Sequence, residues 1–577
     1  MRPRRQDDPL TRESRALLRS AGRHSAARCA ALCLVTAAAT GAELLLPAAL
    51  GRALDLLLAQ APTTRWVLCC AALVLLVAAL GTAETVLHGT VDARATAWLR
   101  RRTLAQVLAA GPRAGDRFGS GDLVARLVGN AAQAGAAPAA RAALLAALAG
   151  PVGGVVALAL IDPWLAVVFL AGAPLLALLL RALARDVSAC VADYQRVQGR
   201  IAGALAEAVA GRRTLRAAGL EAKETARILR PLPELSKAGR EMWRVQGRAA
   251  AQAVAVAPLL QLGVIAVAGL LLARHRLSPG DVLAASRYAV LATGVGVLVG
   301  QLSGLARSRA AAQRLGELHT VPAPDHGERR LPAGGPGRLE FRRVTARRGD
   351  RTVLTGVDLV VPGGTTLAVV GRSGTGKSLL AALAARLADP DDGEILLDGV
   401  PLPELSRREL RAAVACAFDR PVLLGDTVGD AIGLGLPGPS PALVREAART
   451  AHADDFVRRL PDGYATVCAD APRSGGESQR LGLARAFARR ARLLVLDDAL
   501  SSLDTVTEHR ITQALLAPGA RGTRLVVAHR AATAARADAV VWLDDGRVRA
   551  VGRHTALWRE AGYRAVFGVP TGEESDT

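Results

Sequence analysis

Aromatic side chains make up only 3% of this 577-residue sequence, and lysine occurs just three times, at 223, 237 and 377. The apolar share is nonetheless 51%, so Ala, Leu and Val carry the hydrophobicity, which suits helices better than sheet-rich sandwiches. Cysteine is sparse and unpatterned. Cys29, Cys33, Cys69, Cys70, Cys190, Cys416 and Cys468 form no C-x-x-C pair, which excludes a zinc or disulfide framework and leaves them as small apolar side chains. A signal peptide is not expected either: Asp7, Asp8 and Glu13 precede the first apolar run, and that run is of spanning length. A chain this long exceeds one hydrophobic core, so at least two domains are expected. The net charge of +22 raises nucleic-acid binding as a reading, to be weighed against arginines that flank membrane helices.

Long stretches lack charge altogether. Between Arg28 and Arg52 the only charge is Glu43, and 66–83 and 249–273 have none. Residues 142–180 carry Asp162 alone, followed by Pro163; a crossing takes about 20 residues, so this reads as two spans joined by a tight turn. A sixth span runs over 282–306 and contains Arg287. The expected membrane helices are 29–51, 66–90, 142–161, 163–180, 249–273 and 282–306, within a transmembrane domain at 28–318 that follows a cytosolic segment at 1–27. One such run has a buried soluble helix as its alternative; six with charged flanks do not.

Arginine placement sets the expected orientation. The N-terminal segment holds Arg2, Arg4, Arg5, Arg12, Arg15, Arg19 and Arg23; the connections after the second and fourth spans hold Arg100 to Arg102, and Arg212, Arg213, Arg216, Lys223 and Arg227. The other links are short and poor in basic residues. Both termini are therefore expected in the cytosol, and the net charge is explained without nucleic acid. The two long connections contain Gly-marked breaks, Gly119-Ser120-Gly121-Asp122 and Gly211-Arg212-Arg213, where a short helix would lie across the bundle end and touch a cytosolic partner. Glu43 and Arg287 would pair, line a substrate cavity, or snorkel to the outer interface.

After a Pro- and Gly-rich linker at 319–336 the pattern turns to short β-type runs alternating with helices, an α/β domain at 337–568 followed by a tail at 569–577. At its centre Leu367-Ala368-Val369-Val370 leads into Gly371-Arg372-Ser373-Gly374-Thr375-Gly376-Lys377-Ser378 and an Ala/Leu helix. This is a phosphate loop in the required strand–loop–helix context. Its glycines let backbone N–H groups turn onto phosphates, and the helix N-terminus adds a favourable dipole. Lys377 would reach the β- and γ-phosphates of ATP, and the Ser378 hydroxyl would ligate Mg²⁺. In a chain that otherwise uses arginine, a lysine at this position is a specific choice. Further on, Leu493-Leu494-Val495-Leu496 ends in Asp497-Asp498, placing the Asp497 carboxylate to hold the Mg²⁺ water shell. A second strand, Leu525-Val526-Val527-Ala528, ends in His529, which would contact the γ-phosphate.

With Ser474-Gly475-Gly476-Glu477 and the helix beyond it, these residues resemble the ATP-binding cassette (ABC) transporters, specifically the exporter-type half-transporter. The resemblance extends from the first span to about Gly568. It implies a multidomain membrane protein with a six-helix all-α transmembrane domain fused to an α/β P-loop ATPase, using ATP and Mg²⁺. It also implies head-to-tail dimerisation with a second half-transporter, Ser474 and Gly476 binding the partner's nucleotide, and Ser501-Ser502-Leu503-Asp504 forming the crossing loop between the sites. The two Gly-marked breaks resemble coupling helices. Several positions depart from the family pattern. The general base, a glutamate in the family, is Asp498 here; the glutamine that links Mg²⁺ to the coupling surface aligns with Asp419; the adenine-stacking aromatic aligns with Arg348. Arg473 stands where a leucine is usual, and 468–472 is short. The expectation is a site that holds MgATP and hydrolyses it poorly, in a heterodimer more readily than a homodimer. It would export a small molecule, lipid or peptide across the plasma (inner) membrane of a bacterium. Siderophore import and a purely regulatory ATP-binding role stand as alternatives, and leader-peptide cleavage is not expected.

Overall fold

The apolar runs and the β-type runs separate into two compact units in the computed structural model, whose described residues are 9–471, 473–515 and 522–568. One unit takes in residues up to Leu108 and Phe118–Val321; the other takes in Ala109–Arg117 and everything from Pro322. The first is wholly helical in its described part. Its principal helices are α1 (Pro9–His24), α2 (Ala26–Leu58), α3 (Thr64–Ala110), α5 (Ser120–Ala125), α6 (Ala131–Gly135), α7 (Ala137–Ile161), α8 (Pro163–Ala210), α9 (Arg212–Ala218), α10 (Glu221–Leu229), α11 (Leu232–Ala273), α12 (Pro279–Ala292) and α13 (Val295–His319), while α4 (Pro112–Arg117) belongs to the second unit. Among the described residues three helical stretches are long and apolar enough to cross a membrane: Ala26–Leu58, Thr64–Ala110 and Ser120–Ile161. The expected spans at 163–180, 249–273 and 282–306 fall on helices, but part of each lies outside the residues whose side chains are described; Cys190 does too.

The turn expected at Asp162-Pro163 has a physical cause. Asp162 is extended, and its carboxylate accepts from Trp164 N at 2.9 Å while Pro163 opens α8. Asp162 is also buried and ion-paired with Arg276 at 2.9 Å, so the one charge in that long run is satisfied twice. The sixth expected span is not continuous: Thr293 and Gly294 separate α12 from α13. Glu43 and Arg287 are both exposed, and neither has an ion-pair partner among the described residues. The pairing weighed for them is absent.

Glycine permits the closest helix approach. A Cβ on Gly51 of α2 would lie 2.5 Å from the Gly280 carbonyl oxygen at the start of α12, so no larger residue fits without parting the helices. One turn on, Asp55 accepts from Ser278 Oγ and Gly280 N, both at 2.7 Å. At the other end of the bundle α5 passes into a π-helical turn, Arg126–Asn130. Arg100 donates to the carbonyls of Leu127 and Val128 there, and nearly buried Arg126 pairs with Asp122 at 2.8 Å and Glu317 at 2.9 Å over the Phe118 ring. The irregular backbone is thus held by charged side chains.

At the first break Gly119 caps the short helix α5, Ser120–Ala125, and a further short helix precedes it. It is α4, entered through Gly111 at φ +59°, and its segment belongs to the second unit, where Arg113 pairs with Asp389 at 2.6 Å. At the second break Gly211 ends α8 and α9 follows, closed by left-handed Gly219.

The second unit contains two sheets. An antiparallel one has the order β2-β1-β4-β5, from β1 (Leu339–Arg348), β2 (Arg351–Val361), β4 (Asp392–Leu397) and β5 (Val400–Pro401). The other has the order β10-β9-β3-β8-β7-β6, from β3 (Thr366–Val370), β6 (Val414–Phe418), β7 (Leu493–Asp497), β8 (Thr523–Val527), β9 (Ala539–Asp544) and β10 (Arg547–Gly552). All its pairings are parallel except β10 with β9. β3 is buried along its whole length, as a central parallel strand requires. The carboxyl ends of β3, β6, β7 and β8 carry the residues of interest, the edge at which ligands bind in such sheets.

Candidate functional site

β3 delivers the chain into Gly371–Ser378, and the turn needs glycine. Gly374 and Gly376 sit at φ +86° and +97°, and a Cβ on Gly376 would meet Leu354 at 2.6 Å. Lys377 opens the following helix, Lys377–Ala384; it is 7% exposed, and its Nζ donates to the carbonyls of Gly371 and Arg372, both at 2.9 Å. Thr375 Oγ1 donates to the Arg372 carbonyl at 2.9 Å. Burial pushes the lysine's pKa down, and the Asp498 and Asp497 carboxylates oppose that shift. An ammonium held over a loop of backbone groups, with carboxylates across from it, is the electrostatic frame of a phosphate site.

Asp497 ends β7. One of its carboxylate oxygens, Oδ1, is buried with no hydrogen-bond partner. Burial raises its pKa, and the Ser378 hydroxyl opposes the shift. A buried, unpaired carboxylate oxygen beside a serine hydroxyl is an unfavourable arrangement that a hard cation with oxygen ligands relieves, so these residues fit Mg²⁺.

Asp498 follows at φ +53°, a conformation rare for a residue with a side chain and found where structure over-determines it. His529 Nε2 lies 2.7 Å from Asp498 Oδ1, a close approach that makes no hydrogen bond, so this buried oxygen, like Asp497 Oδ1, has no hydrogen-bond partner. The two residues proposed for catalysis come from different strand ends and meet. A cavity of about 100 Å³ borders them, also lined by Ser501 and Glu508.

Asp419 follows β6, whose Phe418 pairs with Asp497 across the sheet. Its Oδ1 accepts from Ser501 Oγ at 2.9 Å and Gln479 Nε2 at 3.3 Å. Ser502 N donates to Gln479 Oε1 at 3.0 Å. Gln479, only 1% exposed, thus ties Asp419, Ser501 and Ser502 together, and nothing in the sequence reading had singled it out. Its neighbours Glu477, Ser478 and Arg480 are polar as well, so the local sequence carries no signal for it. A second unforeseen element is Glu508, which pairs with Arg530 and accepts from Thr533 Oγ1 at 2.8 Å. It anchors the residue next to His529.

Ser474, Gly475, Gly476 and Glu477 form the start of helix Gly475–Ala488. Ser474 Oγ accepts from Glu477 N at 3.2 Å, and Glu477 Oε2 accepts from Ser474 N at 2.7 Å, a reciprocal capping box. Glu477 therefore has a structural task in its own helix. Asp504 Oδ1 likewise caps helix Thr505–Leu515, accepting from Val506 N and Thr507 N; the Thr507 hydroxyl first, and then these backbone amides, lower its pKa. Arg348 lies exposed at the tip of the β1–β2 hairpin, opposite Arg351.

Comparison with known proteins agrees with this geometry. Residues 30–294 match the family model for the ABC transporter transmembrane region, and residues 354–501 match the one for the ABC transporter. The chain is 52% identical over 538 residues to the "ABC transporter ATP-binding protein RamA" of Streptomyces coelicolor, covering 93% of this chain and 84% of that one. It is 36% identical over 417 residues to an "ATP-dependent lipid A-core flippase" of Chromohalobacter salexigens, covering 70% of each. The structure of a bacterial Atm1-family ABC exporter with ATP bound superposes with a TM-score of 0.77 at 24% identity, covering 96% of this chain and 99% of that one, a likeness of fold. The chain belongs to the ABC transporter family, with the transmembrane region and the ATPase domain fused in one polypeptide. It is a multi-pass membrane protein and an ATP-hydrolysing transporter of the exporter type.

Proposed function

We propose that this chain is one half of a dimeric exporter in a bacterial plasma membrane, both termini cytosolic, whose own site grips MgATP firmly and cleaves it slowly. The observation that carries this reading is the pairing of Asp498 with His529 at 2.7 Å beside an intact phosphate loop. MgATP supplies the phosphoryl group and its counter-charge. Gly371–Ser378 cradles the phosphates, Lys377 offsets their charge, and Ser378, Asp497 and Asp419 hold the metal's oxygen shell. Asp498 is the base that accepts a proton from water, and His529 fixes its carboxylate. An aspartate reaches roughly one ångström less far than a glutamate, and a misplacement of that order costs about a hundredfold in rate.

A slow site is useful in a pair, where the partner provides the fast one; a heterodimer is therefore favoured over a homodimer. In it Ser474 and Gly476 face the partner's nucleotide, and Ser502 and Asp504 line the crossing between the two sites. Closure on ATP reaches the membrane helices through α4 and α9, which are covalently continuous with α3 and α8. The cargo is a small molecule, lipid or peptide. ATP turnover by the purified chain alone is the test: slow hydrolysis with tight nucleotide binding is expected, and turnover as fast as that of a glutamate-bearing relative assayed alongside overturns the slow-site reading.

A further inference from the structure

One cavity in the membrane unit has no part in the nucleotide cycle. It measures about 550 Å³ and is walled by Ser14, Arg15 and Arg19 of α1, Arg141 of α7, and Arg309 and Gln313 of α13. Among the described residues no carboxylate lines it. Arg19, Arg141 and Arg309 have no ion-pair partner among the described residues. Packing fixes the convergence: Leu17, Leu18 and Ala21 of α1 are buried in one core with Leu99, Ala134 and Leu315, so α1 is held against the bundle. Arg15 and Arg19 are one turn apart on α1, and Arg309 and Gln313 one turn apart on α13. Three guanidinium groups with no ion-pair partner among the described residues, those of Arg19, Arg141 and Arg309, repel each other until an anion enters the space they share.

The position says what kind of anion. Arg141 immediately precedes the apolar run that starts at Ala142, Arg309 follows the one that ends at Ala306, and Arg19 precedes the one that starts at Cys29. All lie at the same end of the membrane helices. Along the same faces, one or two turns into the helices, α7 exposes Leu145 (66%) and Leu148, and α13 exposes Leu302 (54%). Cationic groups at one level with exposed leucines beyond them match an amphiphile, head and tail. We propose that this cavity binds the phosphate of an anionic lipid headgroup, with Arg141 and Arg309 as its principal ligands. The site is independent of the cargo and of how fast ATP is cleaved.

The test uses the full chain in nanodiscs of phosphatidylcholine doped with phosphatidylglycerol, with bound lipid counted by native mass spectrometry after release. Phosphatidylglycerol is expected to be retained selectively. Each headgroup-level arginine contributes about fivefold in affinity, so R141Q/R309Q should lose roughly twenty-five-fold in selectivity, while R141K/R309K keeps most of it. Nucleotide affinity measured on the same samples shows that the variants are folded; if the double variant is not, R309Q alone should show the fivefold step. Equal retention of the two lipids by the wild type overturns the proposal, as does unchanged selectivity in R141Q/R309Q. Displacement of phosphatidylglycerol by millimolar inorganic phosphate also overturns it, and assigns the cavity to a soluble anion.

Discussion

The two sides of the nucleotide site are built differently. The gripping side is one contiguous segment, Gly371–Ser378, with glycine at both left-handed positions and a buried lysine. The cleaving side is assembled from four separate segments that meet through Asp419, Gln479, Ser501, Asp498 and His529. Every departure from the family pattern at Asp419 and Asp498 falls on the cleaving side. On the proposed reading, such a site preserves the energy of nucleotide binding while giving up speed of hydrolysis. The two functions are separable because different residues carry them.

The largest test of that division is Lys377→Ala. It removes the ammonium on the gripping side and should weaken MgATP binding by about a hundredfold, as the loss of a charge-assisted contact to phosphate implies. Calorimetric titration measures it; unchanged affinity would show that the loop is not the nucleotide's seat. Asp498→Glu comes next and acts on the other side alone. It should raise turnover by about ten- to a hundredfold and leave the dissociation constant where it was. If turnover stays put, the missing methylene is not what limits the site, and the contrast between the two sides fails.

Gln479→Leu probes the joint between them. The substitution strands the Ser502 amide, whose contact with Gln479 is 3.0 Å, and leaves Asp419 Oδ1 with Ser501 Oγ alone of its two side-chain donors. A buried unsatisfied polar group costs about 1–3 kcal/mol, so the ATPase unit's melting temperature should fall by several degrees and turnover with it. Gln479→Glu keeps the acceptor for Ser502 but sets a buried second carboxylate 3.3 Å from that of Asp419, so at neutral pH it should be at least as destabilised as Gln479→Leu and recover as the pH falls.

That joint also shows where sequence reading stops. The phosphate loop is legible because its chemistry lies in eight consecutive residues between a strand and a helix, and the Asp162-Pro163 turn is legible because one charge and one proline interrupt a long apolar run. Gln479 and the Glu508–Arg530 pair are polar residues in ordinary helical or loop positions. Only the folding of distant segments onto one sheet edge gives them partners. The short helix α4 has no comparable signal: Gly111 and Gly119 are alike in composition, each precedes a short helix, and only Gly111 takes a left-handed backbone. The interruption of the last membrane helix at Thr293-Gly294 has no marker beyond a single glycine among many. Capping by Ser474 with Glu477 follows a recognisable S-x-x-E pattern, but the family resemblance drew attention to the nucleotide instead.

The smallest expected effect separates function from stability at the proposed metal position, Asp497, which lies beyond the gripping segment. Burial raises the pKa of Asp497, so the folded state binds a proton there more tightly than the unfolded chain does. Its charged form therefore opposes folding above the folded-state pKa, and that opposition disappears as pH falls through it. Replacing Asp497 by Asn removes the charge that has no partner at Oδ1. At neutral pH, without nucleotide, the variant should melt higher by about 2 °C, the shift expected from roughly 1 kcal/mol in a domain of this size. The gain should fade as the pH is lowered into the carboxylate range, because the native aspartate is then protonated as well. Added MgATP should reverse the ranking, raising the native protein's melting point well above that of Asp497→Asn, since the uncompensated carboxylate is what the metal occupies. A variant that melts lower than native without nucleotide would mean that Asp497 is held by contacts within the fold and is not waiting for a cation.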